Sequence, residues 1–136
     1  MVKMKKYILL DFDGVMIPSK PWKPVTLLSD GFYEFSDSAI YNLNRIVNET
    51  GSEIILITSH KTSYPNSEWV KMFEFRGILG KVNRLDDSLI HSKRINEVLN
   101  WFHINSECKF VILDDDKSLN DLPIKIKNHL VLCDSG

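Results

Sequence analysis

Two carboxylates follow an apolar run near the start of the chain, at a spacing that could support chemistry. Residues 7–10 are Tyr-Ile-Leu-Leu, followed by Asp11, Phe12, Asp13 and Gly14. An apolar run that ends in acids and glycine predicts a buried strand whose last side chains reach the edge of a sheet. Alternation along a strand would put Asp11 and Asp13 on one face and Phe12 on the other. Converging carboxylates need a cation, a shared proton or unequal solvation to separate their roles. The alternative is an ordinary turn, where Asp and Gly are common.

The composition predicts a single globular domain. The chain has 136 residues, of which 43% are hydrophobic and 26% charged, and its net charge is -1. A chain of this length buries roughly two-thirds of its unfolded surface. The near-neutral balance gives no general attraction to nucleic acid or membranes, so any anion site must be local. We expect no export signal and no membrane span, because the apolar run after the N-terminal lysines stops at Asp11.

Two cysteines, Cys108 and Cys133, are the only ones in the chain. They belong to no Cys-x-x-Cys motif and to no His/Cys cluster at metal-ligand spacing, so neither a disulfide framework nor a zinc site is predicted. We expect reduced thiols in a cytoplasmic protein.

Strand and helix patterns alternate along the remaining chain. Continuous β-rich runs predict strands at 53–59, 109–116 and 129–133, with a shorter strand at 80–85. Helical spacing predicts a first helix with Ser36 or Asp37 as its N-cap and Gly51 as its stop. It predicts two more helices, over 67–76 and over 92–102, and Ser92 is the expected N-cap of the third. This alternation predicts an α/β fold, a doubly wound parallel sheet (Rossmann-like) with helices on both faces.

Residues 15–31 predict a long loop, because three prolines interrupt any regular helix. The loop leaves directly from the paired acids and is expected to lie over them. Within it, Trp22 between Lys20 and Lys23 offers a stacking face beside positive charge, as sites for single-stranded nucleic acid do. The alternative is that Trp22 only packs the loop against the domain.

The carboxyl ends of the predicted parallel strands should meet at one edge of the sheet, where ligands bind. The residues expected there are Asp11, Asp13, Thr58, Ser59, Asp114 and Asp115, with Lys93 at the start of the preceding helix. Carboxylate oxygens suit Mg²⁺, whereas hydroxyl and ammonium groups suit phosphate oxygens. Taken alone, each residue fits an ordinary strand end, helix cap or solvated lysine better than a functional role. Together they could neutralise a phosphoryl group enough for a carboxylate to attack it, which predicts an aspartyl-phosphate mechanism.

Four motifs in this order resemble those of the haloacid dehalogenase-like (HAD) phosphatases. They are Asp11-Phe12-Asp13-Gly14-Val15, Ile57-Thr58-Ser59, Lys93 and Leu113-Asp114-Asp115, and they extend over nearly the whole chain. The resemblance implies that Asp11 is the nucleophile and Asp13 the general acid/base. It implies that Thr58, with Ser59 beside it, holds the phosphoryl group and that Lys93 steadies the phospho-aspartate. Mg²⁺ would bind Asp11, the main-chain carbonyl of Asp13, and Asp114 or Asp115.

Two positions depart from the family pattern. Lys93 lacks the proline that often follows the family lysine, and Arg94 beside it is an alternative substrate-binding cation. The fourth motif is an acid triplet that ends at Asp116, which leaves open which acids bind metal.

The small size and the pattern Arg94-x-x-Glu97-Val98-x-x-Trp101 resemble the compact branch found fused to nucleic-acid repair enzymes. There is no room for the cap domain that closes over small substrates in larger relatives. The resemblance therefore implies a phosphatase without a cap, acting on a nucleic-acid, nucleotide or protein phosphate.

Two other functions fit parts of the pattern. A receiver-type phosphoacceptor domain also uses acids, a hydroxyl and a lysine on a parallel sheet, but its phosphorylated Asp should follow the acid pair on a later strand. A binding module could keep the fold without catalysis, since fold does not imply function. Turnover of an aryl phosphate with Mg²⁺ separates a phosphatase from both.

Overall fold

The computed structural model describes residues 5–18 and 25–133, which form one five-stranded parallel sheet. The strands are β1 (Lys6–Leu10), β2 (Glu53–Leu56), β3 (Val82–Arg84), β4 (Lys109–Asp114) and β5 (Leu130–Leu132). They lie in the order β3-β2-β1-β4-β5. The chain therefore adds β2 and β3 on one side of β1 and then crosses over to add β4 and β5 on the other side. The predicted doubly wound parallel sheet is confirmed, and β1 occupies its centre, where ligand sites of such sheets form.

In these described ranges, four α-helices connect and flank the strands: α1 (Asp37–Thr50), α2 (Asn66–Phe75), α3 (Arg94–Asn105) and α4 (Ile124–Lys127). Helix α1 begins as predicted, because the Ser36 side chain accepts a hydrogen bond from the Ala39 N–H at 3.2 Å. It ends at Gly51, whose φ of 69° is the left-handed conformation that favours glycine. The prediction for α3 was wrong at its start, since the N-cap position is Lys93 and not Ser92.

The sheet separates two apolar clusters. Ile8 and Leu10 of β1 lie in the cluster that also contains residues of α1 and α2. Leu9 lies in the other cluster, with residues of α3 and α4. Because neighbouring strand residues point to opposite faces, this division puts helices on both faces of the sheet, as predicted.

Two strands end earlier than predicted, since the predicted bounds were 53–59 and 109–116. Strand β2 stops at Leu56, and a short 3-10 helix, Ser59–Ser63, follows with Thr58 as its N-cap. Strand β4 stops at Asp114, and Asp116 caps another 3-10 helix, Lys117–Asp121. In both places a polar side chain bonds a nearby backbone N–H, which competes with continuation of the strand.

The segment after β1 contains no regular helix in residues 15–18 and 25–31, as predicted. Lys20, Trp22 and Lys23, the proposed stacking face, lie outside the described residues. Within residues 5–18 and 25–133, no segment forms a separate cap domain. In the same ranges, no helix has both the length and the apolar character needed to cross a bilayer.

Candidate active site

Three carboxylates meet at the carboxyl edge of the two central strands. Asp11 follows β1 directly, and its N–H donates to the Leu113 carbonyl of β4 at 3.0 Å. Asp114 is the last residue of β4, and Asp115 comes next. One oxygen from each of the three carboxylates lies within 4.8 Å of the others. The structure therefore brings Asp11 of the first sequence motif together with Asp114 and Asp115 of the fourth.

The cluster is largely removed from water. Asp11 is 4% exposed and Asp114 is fully buried. The pKa of Asp11 is raised to about 8, mainly by burial and secondly by the charge of Asp114. Burial followed by the charge of Asp114 also raises the pKa of Asp115. The cluster thus favours a proton or a cation over three free negative charges.

Arg94 is the cation that the structure brings to these acids. Its Nη1 lies 2.6 Å from Asp114 Oδ2 and 3.4 Å from Asp11 Oδ1. Burial lowers the pKa of Arg94, but the charges of Asp114 and Asp11 outweigh it and raise that pKa overall. The guanidinium is therefore a fixed positive charge beside the acid expected to be the nucleophile.

Lys93, the expected third-motif residue, lies elsewhere. It is exposed and occupies the extended N-cap position of α3, with φ -107° and ψ 129°. Within the described part of the chain, the ion pairs of the acid cluster are made by Arg94 and not by Lys93. The expected position of Lys93 is corrected, because Arg94 begins the helix and lies beside the acids.

The donor set of the cluster fits a hard divalent cation. All three side chains offer oxygen. Among the described residues, the ion pairs of this cluster come from one guanidinium, which contacts Asp11 and Asp114, so the negative charge there exceeds the positive charge. Gly14 lies against the same group: its φ is 80°, and an added Cβ would overlap the Asp115 carboxylate. A glycine is required here both by the backbone conformation and by this close approach.

Asp13 leaves the cluster and turns toward the segment after β2. Its side chain is 55% exposed, and Oδ2 lies 3.2 Å from His60 Nε2. Phe12 between the two acids is buried in the core, as expected. The strand ends at Leu10, so the alternation that would align Asp13 with Asp11 no longer applies. His60 was not singled out from the sequence, where only its position two residues after Thr58 could have indicated it.

The two hydroxyl residues after β2 have different environments. Thr58 is fully buried, and its Oγ1 accepts a hydrogen bond from the His60 N–H at 3.3 Å. Ser59 is exposed. The sequence also gave no sign that Lys61, three residues beyond Thr58, is only 5% exposed.

Asp116 supports the cluster without joining it. Its N–H donates to Asp114 Oδ1 at 3.0 Å, and its Oδ1 accepts from the Ser118 N–H at 3.0 Å. The acid triplet therefore divides into Asp114 and Asp115 in the cluster and Asp116 as a helix cap.

Comparison with known proteins identifies the family. A family model described as the HAD domain in Swiss Army Knife RNA repair proteins matches residues 7–136, a range that includes every motif residue discussed above. A search of curated proteins found no match to the chain. Domains of the HAD family are usually enzymes and typically use Mg²⁺. This chain belongs to the family of HAD domains found in Swiss Army Knife RNA repair proteins.

Proposed function

We propose that this domain is a Mg²⁺-dependent phosphatase that hydrolyses phosphate monoesters through a phosphorylated Asp11. The observation that carries the proposal is the position of Asp11: buried at the end of the central strand, 3.4 Å from the Arg94 guanidinium and within the cluster of Asp114 and Asp115. A carboxylate held beside fixed positive charge can approach an anionic phosphoryl group. The family assignment supports hydrolase chemistry at this site.

The first step transfers the phosphoryl group to the protein. An oxygen of Asp11 forms a bond to phosphorus while the bond from phosphorus to the leaving oxygen breaks, and Asp13 gives that oxygen a proton. Arg94 and Thr58 hold the phosphoryl oxygens. The exposure of Asp13 supports this role, because a general acid must reach the leaving group of an incoming substrate.

The second step returns the protein to its starting state. Asp13 takes a proton from water as the water oxygen bonds to phosphorus, and the bond between phosphorus and Asp11 breaks to release inorganic phosphate. Asp11 must be ionised to begin the next cycle, and the Arg94 guanidinium favours that form. Mg²⁺ would be held by Asp11, Asp114, Asp115 and the Asp13 carbonyl, where it would offset negative charge on the phosphoryl group.

We propose that the phosphate is carried on a nucleic-acid strand. The support is the family description, which refers to RNA repair proteins, and a sheet edge that no described segment caps. The comparison to make is kcat/KM for 3′- and 5′-phosphorylated oligonucleotides, a phosphopeptide and a mononucleotide. A preference for the mononucleotide would contradict this assignment.

The test of phosphatase activity is turnover of p-nitrophenyl phosphate with and without Mg²⁺. Wild-type protein should release many equivalents of phosphate, and Asp11→Asn should release none above background, because an amide is a far poorer nucleophile. Asp87→Asn is the matched control, since Asp87 is exposed after β3 and outside the cluster. Release of one equivalent of p-nitrophenol, with the phosphoryl group kept on the protein, would favour a phosphoacceptor. Release of neither p-nitrophenol nor phosphate would favour a binding module.

A further inference from the structure

A buried ion pair joins the segment after β2 to helix α3. Lys61 Nζ lies 2.9 Å from Glu97 Oε2, and the two residues are 5% and 2% exposed. Removing two charges from water is costly, and an apolar pair of similar volume is often at least as stable. Stability alone therefore does not account for this pair.

The pair holds two parts of the candidate active site. On one side, Lys61 Nζ donates to the Thr58 carbonyl at 3.3 Å. On the other, Glu97 Oε1 lies 3.8 Å from Arg94 Nε, while Arg94 Nη1 faces the acids. One carboxylate thus contacts both the lysine that holds Thr58 and the arginine that meets Asp11.

Further hydrogen bonds fix the pair itself. The Trp69 indole N–H donates to the Lys61 carbonyl at 3.1 Å, and the His91 N–H donates to Glu97 Oε2 at 3.2 Å. The Lys61 backbone and the Glu97 side chain are therefore each fixed by a further hydrogen bond, in addition to the ion pair between the two residues. A unit of this kind can set the distance between two elements that are far apart in sequence.

We infer that Lys61 and Glu97 are positioning residues that hold Thr58 and Arg94 at a fixed separation around the phosphoryl group. The inference rests on the proposed phosphatase function. It gives the buried pair a role in catalysis without contact to the substrate. Displacement of a binding group by about 1 Å can lower the rate on the order of 100-fold, so residues that fix the separation of Thr58 and Arg94 would raise the rate.

The test replaces both charges with apolar side chains in Lys61→Met/Glu97→Leu. This avoids leaving one buried charge alone, so the melting temperature should stay within about 5 °C of wild type. We expect kcat/KM for p-nitrophenyl phosphate to fall about 10- to 100-fold, as for other residues that orient catalytic groups. Inhibition by inorganic phosphate should weaken as well, because both displaced groups bind phosphate oxygens.

The matched control is Arg45→Met/Glu49→Leu, which removes an exposed ion pair on α1. It should leave kcat/KM unchanged. Introducing the Lys61/Glu97 change into Arg94→Ala separates positioning from a general structural effect. Because the pair positions Arg94 as well as Thr58, the further loss in that background should be smaller than the loss measured with Arg94 present.

Wild-type kcat/KM in a folded Lys61→Met/Glu97→Leu protein would overturn the inference, as would a full, additive loss in the Arg94→Ala background. Lys61→Gln/Glu97→Gln serves if the first variant does not fold, because it keeps a hydrogen-bonding pair of similar length but removes the charge facing Arg94. The same loss is expected, and wild-type activity would again overturn the inference. Wild-type protein without turnover would instead refute the proposed function and the inference together.

Discussion

Replacing Arg94 with alanine tests which cation serves the acid cluster. Arg94 Nη1 lies 2.6 Å from Asp114 and 3.4 Å from Asp11, whereas the neighbouring Lys93 is exposed. Each of the variants Arg94→Ala and Lys93→Ala removes one positive charge, at adjacent positions in the chain. Lys93→Ala is therefore a closely matched control for Arg94→Ala.

The structure gives the expected size of the effect on stability. Removing one partner of a buried ion pair costs about 3–5 kcal/mol. Asp11, whose pKa is already about 8, can take up a proton when the guanidinium is lost, which keeps the cost at about 3 kcal/mol. For a chain of this size we expect a melting temperature about 10 °C lower. Lys93→Ala should change the free energy of unfolding by less than about 0.5 kcal/mol, as for most exposed sites.

The effect on activity should be larger than the effect on stability. Loss of one fixed donor to a developing anion typically lowers the rate about 100- to 1,000-fold. We expect that loss in kcat/KM for Arg94→Ala. For Lys93→Ala we expect a change within about threefold, since an exposed lysine that forms no ion pair with the described residues of the site contributes little. Turnover of p-nitrophenyl phosphate below the melting temperature of each variant measures this. Equal losses, or a larger loss for Lys93→Ala, would refute the assignment of Arg94.

Three further predictions concern the acids and the turn beside them. Asp13→Asn should impair hydrolysis of an alkyl phosphate more than that of p-nitrophenyl phosphate, because a good leaving group needs no proton; equal losses would refute the general-acid role. Gly14→Ala should raise the Mg²⁺ concentration needed for half-maximal activity, because its Cβ would displace the Asp115 carboxylate. Gly31→Ala is the control, because Gly31 has a φ of 85° but open space around it, and it should not change the Mg²⁺ requirement. If both variants raised that requirement equally, backbone strain and not the displaced Asp115 carboxylate would be the cause. The pKa of Asp11 rises from 3.8 to about 8 on folding, so the folded chain binds more protons than the unfolded chain. Without metal, the contribution of Asp11 to the free energy of unfolding should therefore decrease as pH rises between these two values. Thermal melts at a series of pH values measure this, and the decrease should be absent in Asp11→Asn and in wild-type protein with Mg²⁺.

The elements predicted best are those with a strong apolar pattern. The run before Asp11 and the run before Asp114 each form a central strand, and both acids lie at the sheet edge as expected. Helix α1 was predicted at both ends because Ser36 and Gly51 carry local capping signals. These features depend on neighbouring residues, which the sequence displays directly.

The prediction of which cation faces the acids, Lys93 or Arg94, depended on the first residue of α3, and the sequence pattern does not determine that residue. Choosing Ser92 as the cap started the helix too early and treated Lys93 as a helical residue. Successive helical residues point about 100° apart, so a small error in the start changes which cation faces the acids. The true first residue of α3 is Arg94.

Other parts of the site arise only from tertiary structure. Lys61 and Glu97 are 36 residues apart, and no local pattern predicts that they pair in the interior. The contact of Asp13 with His60 joins residues 47 positions apart and follows from the early end of β1. Such contacts depend on how the segments after β1 and β2 pack, which periodicity does not encode.

The central claim is that Asp11 becomes phosphorylated during turnover, and trapping that form tests it most directly. Wild-type protein would be mixed with p-nitrophenyl phosphate and Mg²⁺, quenched in acid within the first turnover, digested and mapped by mass spectrometry. We predict a phosphoryl group on the peptide that contains Asp11, removed by hydroxylamine as expected for an acyl phosphate and missing from Asp11→Asn. Turnover with Asp11 unmodified and the phosphoryl group on another residue would contradict the account.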